Sequence, residues 1–215
     1  MTTTTSSPLT SLRALVPHRI VEFGEALQIA EQQARRLIDL IADVDGVNEL
    51  HIARMPRIKI VREDLPVSGM SYWNGQQWVI ALSRNESQTR QRFTLLHEFK
   101  HIVDHGSTAR LYPGNKRQSG EQQAEAAADY FAGCALVGKR ELKSAWGNRI
   151  QRVEDLAHHF NVSFEAIRVR LAQTGLDVVA DKLPTPRCAR PVSTPRYQVQ
   201  RFRTARPRYA QRRYA

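Results

Sequence analysis

The segment FTLLHEFKHIVDH, residues 93–105, decides how the rest of this chain is read. Its apolar residues Leu95, Leu96, Phe99, Ile102 and Val103 cluster on one side of a helical wheel, and His97 and His101 fall on the other. Residues four apart on a helix lie one above the other, about 6 Å apart, so the two imidazoles can reach one ion. Glu98 is rotated by one residue. It is poorly placed to ligate that ion and well placed to hydrogen-bond a water there, so it is the candidate catalytic residue. Such a helix buries its apolar side in a core and presents both histidines to a cleft.

A catalytic metal site built on two such histidines needs a third protein ligand and one open position. Downstream, Ser119 with Gln122 three positions on opens a second helix over residues 120–137. On it Glu125 and Asp129 share a face, and Ala124, Ala127, Ala128 and Ala132 permit close approach of another helix. Glu125 is the candidate third metal ligand, with Glu121 one turn earlier as its rival. Asp129 is the candidate acceptor for the remaining ring N–H of a ligand histidine, a contact that fixes tautomer and orientation. Zinc, Zn2+, is the expected cofactor.

Upstream, Ala26, Ile29, Ala30, Ala34, Leu37, Ile38 and Ile41 recur at three and four, predicting a helix over residues 21–42 that ends at Asp45-Gly46. Residues 57–61 alternate as a strand does, and residues 70–73 and 78–82 flank Asn74-Gly75, a strong hairpin signal. The expected fold class is therefore α+β, with a small antiparallel or mixed sheet packed on the active-site helix. Residues 78–82 are the expected edge strand, to which an extended peptide would add antiparallel. Residues 106–118 read as a polar loop. Residues 153–173 read as two short helices around Asn161-Val162-Ser163 at helix-turn-helix spacing, with Leu156, Ala157, Phe160, Val162, Ile167 and Leu171 inward. This pair is expected to pack on the core rather than enter a DNA groove, and His158 and His159 are expected at the surface.

The chain has 215 residues and a formal net charge of +11. From residue 180 on, nine Arg and Lys182 face Asp181 alone, so this tail carries +9 and residues 1–179 only +2. The tail also holds Pro184, Pro186, Pro191, Pro195 and Pro207, with Arg interleaved among Tyr and Phe and no apolar periodicity. It is expected to be disordered and is a candidate nucleic-acid contact, since phosphate pairing and base stacking need both residue types. Cys134 and Cys188 are too far apart and too differently surrounded to suggest metal or redox pairing, and Cys134 reads as a small packing residue. Residues 1–20, rich in Thr and Ser with Pro8 and Pro17, are expected to be flexible. No stretch is apolar enough for a membrane span or signal peptide, so a cytoplasmic protein without a membrane partner is expected.

Residues 93–105 together with Glu125-Ala126-Ala127-Ala128-Asp129-Tyr130-Phe131-Ala132 resemble the ImmA/IrrE family of metallopeptidases. The likeness extends over about residues 22–176. It implies a zincin-like, gluzincin-type hydrolase domain with a single zinc, assigned here to residues 21–176, which acts as a site-specific protease on a helix-turn-helix repressor. It also implies that Glu98 handles the proton of the attacking water, with an oxyanion donor for which Tyr130, Tyr112 and His105 are candidates. Lys100 stands where the family usually has Gly, and Ala135-Leu136-Val137-Gly138 replaces its usual Leu-Leu-Met-Pro, departures that bear on the substrate groove rather than on a ligand. Repressor cleavage in a flexible linker would separate DNA-binding head from dimerisation tail and so weaken operator binding. The alternative is a DNA-binding transcriptional regulator that uses residues 153–173 and the tail around a structural or vestigial metal site. Retention of Glu98, which a structural site does not need, favours the peptidase.

If residues 177–215 make few core contacts, truncation after Val179 should leave the melting temperature within about 2 °C of the full chain. Differential scanning fluorimetry measures this directly. A larger drop would show that the tail packs on the body.

Overall fold

A computed structural model describes residues 7–41 and 46–176. The elements in chain order are α1 (Pro8–Arg13), α2 (Phe23–Ile41), α3 (Glu49–Ala53), β1 (Ile58–Glu63), β2 (Gly69–Trp73) and β3 (Trp78–Ser83). They continue with α4 (Gln88–Asp104), α5 (Thr108–Leu111), α6 (Gly120–Leu136), α7 (Lys139–Gly147), α8 (Val153–Phe160) and α9 (Phe164–Thr174). The class is α+β, as expected. The tail, residues 177–215, and its predicted disorder and nucleic-acid contact lie outside the described residues.

The sheet has the order β1-β3-β2. β1 runs parallel to β3, and β2 runs antiparallel to it with Trp73 opposite Trp78. Asn74 shapes the connection, because its side-chain oxygen accepts from the backbone N–H groups of Gln76 and Gln77. Gly75 takes φ 97°, a conformation open to glycine at no steric cost. The expectation that residues 78–82 form the edge is corrected: β3 lies in the middle and β2 is an edge. Val79, Ile80, Ala81 and Leu82 are all buried, a continuous apolar run that signals burial on both faces rather than half-exposure.

α4 lies across β2 and β3, α6 packs on α4, and α2 packs on α6. Close approach follows from small side chains, since Ala127, Ala128 and Ala132 of α6 are wholly buried. Ser87 caps α4 by accepting from Arg90 N–H, and Ser119 and Gln122 form the expected capping box of α6. α4 and α6 therefore start where their caps dictate.

Two polar-looking segments fold against this frame, contrary to the sequence reading. Within residues 1–20, Leu12 and Val16 are buried, and Arg13 donates to the carbonyls of Val103 and Ile102 at the end of α4. Those carbonyls are among the last of α4, and a cation there also suits the helix dipole. Residues 106–118 contain α5 and bury Leu111 and Tyr112 in a second apolar cluster with Val16, Val21, Ala26, Ile29 and Ala127. Composition misjudged both segments because a few well-spaced apolar residues suffice when a helix surface is waiting for them.

α8 and α9 pack on the body as expected. Arg92 donates to the carbonyls of Phe160 and Asn161 at the turn between them, and the buried Arg170 donates from Nε to Val137 O at the end of α6. Leu156, Ala157, Val162, Ile167 and Leu171 are buried and Phe160 is half-buried. Cys134 is buried, and burial pushes its thiol up to about 11, so it is an inert packing residue near neutral pH. Among the described residues no helix is long and apolar enough to cross a membrane.

Candidate metal centre

The periodicity of α4 directs its two histidines to α6, and the alanines of α6 let the helices meet closely enough for Glu125 to join them. His97 Nε2 lies 3.2 Å from His101 Nε2, Glu125 Oε2 lies 3.3 Å from His97 Nε2, and Glu125 Oε1 lies 3.2 Å from His101 Nε2. One donor atom from each residue falls within 4.8 Å of the others. Glu121, the rival ligand, is exposed and does not join them.

The other ring nitrogen of His97 decides what these atoms can hold. His97 Nδ1 is 2.7 Å from Asp129 Oδ1. An ionised carboxylate only accepts, so Nδ1 carries the hydrogen and Nε2 of the neutral ring presents a lone pair. That lone pair faces a carboxylate oxygen and a second imidazole nitrogen. Three potential donor atoms converge, an arrangement suited to a shared cation. Burial alone would raise the carboxyl pKa of Glu125, but when the two rings are protonated the hydrogen bonds and charges of His101 and His97 outweigh it and lower the group's pKa. Two imidazoles and a carboxylate meet the requirements of a divalent metal, and the set suggests a metal ion as ligand.

Glu98 is buried beside the triad without belonging to it, and its Oε2 accepts from Ser71 Oγ of β2 at 3.0 Å. Ser71 was not anticipated from sequence. Strand alternation would have put it on the same face as Gly69 and Trp73, but nothing local says that this face meets α4. The three candidate oxyanion donors separate cleanly. Tyr112 is buried and donates to Asp104, and Tyr130 donates to Glu31 on α2, so both hydroxyls are engaged elsewhere. His105 alone lies open, next to Trp78.

Lys100, inside the motif, turns away from the triad. It is 1% exposed, and its Nζ donates to both oxygens of Asp104 at 2.6 Å and to Gln33 Oε1 at 2.7 Å. A cavity of about 600 Å3 has Phe93, Asp129, Val162 and Val169 in its wall but none of the converging donors. A larger one, about 850 Å3, lies near Arg62, Arg92 and Phe160 and includes none of the converging donors. Chemistry rather than size identifies the site.

Residues 56–172, which hold β1 through most of α9, match the peptidase family model described as the IrrE N-terminal-like domain. The chain belongs to this family. The IrrE N-terminal-like match takes in both helices of the centre, and a peptidase family together with the triad suggests a metallopeptidase. Among solved structures, a Mycobacterium tuberculosis transcriptional regulator is similar at 17% identity and a TM-score of 0.48. The similarity covers 79% of this chain and 52% of that one, so the chain spans about half the length of that regulator. No curated protein matches the sequence.

Replacing Asp129 by Asn should lower metal affinity about 10- to 100-fold, because the amide can present an N–H to Nδ1 and release the tautomer that aims a lone pair at the ion. Competition with a chromophoric chelator measures it. Unchanged affinity would show that Asp129 does not tune His97.

Proposed function

We propose that this protein is a zinc-dependent, zincin-like endopeptidase that cuts one bond in a regulatory protein, with His97, His101 and Glu125 as ligands and Glu98 as catalytic residue. The observation that carries this reading is the convergence of the Nε2 atoms of His97 and His101 with the Glu125 carboxylate while Asp129 holds the far side of His97. A purely structural zinc would be closed by four protein ligands, whereas three leave a position for substrate or water.

Zinc bound there would supply Lewis acidity, polarising the scissile carbonyl and lowering the pKa of the attacking water. The Glu98 carboxylate takes that water's proton and delivers it to the leaving amine. Ser71 Oγ donates to one oxygen of that carboxylate and so fixes which way the group faces. Burial of Glu98 keeps bulk water from competing for the proton. His105, one turn beyond His101, is the remaining candidate to steady the developing oxyanion. β2 is the edge that offers backbone pairing to an extended substrate.

A compact protein cannot present an extended segment, which makes a repressor with a flexible linker between its DNA-binding head and dimerisation tail a suitable substrate, in the cytoplasm. The regulator alternative has less support. Its second helix, α9, spends Arg170 on the core and carries Glu165 in its first turn, the end that would approach DNA phosphates. The test is incubation of the zinc-loaded protein with the repressor encoded nearest to it, with and without a chelator. A single chelator-sensitive cut in a linker is expected. Free digestion of unfolded proteins with the repressor left intact would overturn the substrate assignment.

Glu125→Ala should reduce bound zinc at neutral pH to a small fraction of one ion per chain under chelator competition, since two imidazoles alone make a weak site. Atomic absorption after gel filtration reads the stoichiometry. Full occupancy in this variant would remove Glu125 from the ligand set.

A further inference from the structure

Four positions after His101, about 6 Å by helix rise, His105 caps the C-terminal end of α4 on the side that carries both histidines. Its ring stands edge-on to Trp78, with centroids 4.8 Å apart and planes at 68°. Trp78 in turn meets Trp73 at 5.6 Å and 64°. The three rings form a continuous shelf. Trp73 remains 44% exposed, and neither Trp73 nor His105 belongs to the apolar core. A Trp pair beside a hairpin turn can steady the hairpin, but that role does not require His105 or an open ring face.

The strand that carries Trp73 also sets the direction in which a peptide would meet this shelf. Ser83 N–H donates to Ser68 O at 2.9 Å and Asn74 N–H donates to Gln77 O at 3.1 Å, which marks residues 68 and 74 as bonded positions of the β2–β3 ladder. Antiparallel bonding alternates, so Gly69, Ser71 and Trp73 direct their backbone N–H and C=O groups away from β3. Among the described residues no strand pairs with that side of β2. A peptide added antiparallel begins near Trp73 and ends near Gly69. Ser71, at Glu98, marks the level of the reacting bond. The two residues from Ser71 to Trp73 span about 7 Å, close to the turn of α4 from His101 to His105. Strand and helix thus bring the shelf to the same distance from the centre, on the amino side of the bond.

Resting on the peptidase reading above, we propose that Trp73, Trp78 and His105 form a specificity subsite for an aromatic or large apolar side chain within two residues on the amino side of the cleaved bond. The shelf contains no carboxylate to pair with a cation, and stacked or edge-on aromatic pairs gain beyond their buried area.

Two measurements on the full chain loaded with zinc test this. In the first, the wild-type protein digests a degenerate mixture of capped dodecapeptides, and mass spectrometry reads composition around the cuts. Enrichment of Phe, Tyr, Trp, Leu or Met at one of the two positions before the cut is expected. Enrichment only after the cut, or none, would overturn the subsite. In the second, Glu98→Gln protein binds two capped octapeptides of Ser, Thr and Val that differ only by Phe or Ala at the position so identified, or at the third residue if nothing is cut. The Phe peptide should bind about tenfold tighter, and Trp73→Ala in the same background should erase that ratio. A merely structural role for Trp73 would weaken both peptides alike and preserve the ratio. Binding of neither peptide, or equal binding of both, would also overturn the proposal. Preferential binding without any hydrolysis would keep the subsite and remove the peptidase reading, whereas hydrolysis without preference would do the reverse.

Discussion

Glu98→Gln should lower kcat for peptide hydrolysis by about 10²- to 10⁴-fold while leaving zinc content and melting temperature close to those of the parent protein. The substitution preserves shape and removes a carboxylate beside the triad that can accept a proton. The new amide would keep an oxygen for the Ser71 hydroxyl, so the local packing of β2 on α4 should survive. Because Glu98 is 1% exposed, losing its charge also spares a desolvation cost, which argues against a trivial loss through unfolding. Steady-state kinetics on a cleaved peptide, with zinc stoichiometry measured on the same sample, separates the two effects. Retention of more than about a hundredth of the parent rate, the lower end of the usual loss of roughly 10²-fold, would overturn the assigned role.

Asp104→Ala is expected to cost about 3–5 kcal/mol and to lower the melting temperature by roughly 10 °C. The reason is the buried ammonium of Lys100, whose pKa burial pushes down while Asp104 pulls it back up through charge and hydrogen bonding. Asp104 accepts from Lys100 at 2.6 Å through both oxygens and from Tyr112 OH at 2.5 Å. Removing it strands a charge among Phe131, Gln33 and the apolar side of α4. The pair itself contributes little, because burying both partners costs nearly what their attraction returns. The double variant Lys100→Met with Asp104→Asn should therefore recover at least half of the loss, with Asn still accepting from Tyr112. Chemical denaturation of the three proteins measures this. If the double variant is as unstable as Asp104→Ala, the cost comes from something other than the stranded charge.

This network also accounts for a departure visible in the sequence. Lys100 stands where the ImmA/IrrE pattern usually has Gly, and a lysine between two ligand histidines reads as a groove residue. It faces Gln33 of α2 instead. Positions 97 and 100 are three apart, yet His97 meets Glu125 and Asp129 of α6 while Lys100 reaches Gln33 of α2. The wheel could place apolar residues and histidines, but it could not say that a long cation would find an acceptor on another helix and another on the turn below.

The sequence by itself determined the α+β class, α2, α4, α6 and the α8–α9 pair, the capping serine Ser119, and the helix faces that carry His97 with His101 and Glu125 with Asp129. These depend on spacing within one element or on the pairing of two adjacent, strongly patterned helices, where period and cap residues act at short range. Tertiary structure alone decided that β3 is central and β2 the edge, that residues 8–16 and 108–112 are pinned to the body, that Ser71 meets Glu98, and that Tyr112 and Tyr130 turn away from the cleft. Each of those is a contact between groups from different elements, set by which surfaces remain available once the helices and sheet have packed. Local propensity carries no record of that competition, because its outcome depends on partners many residues away.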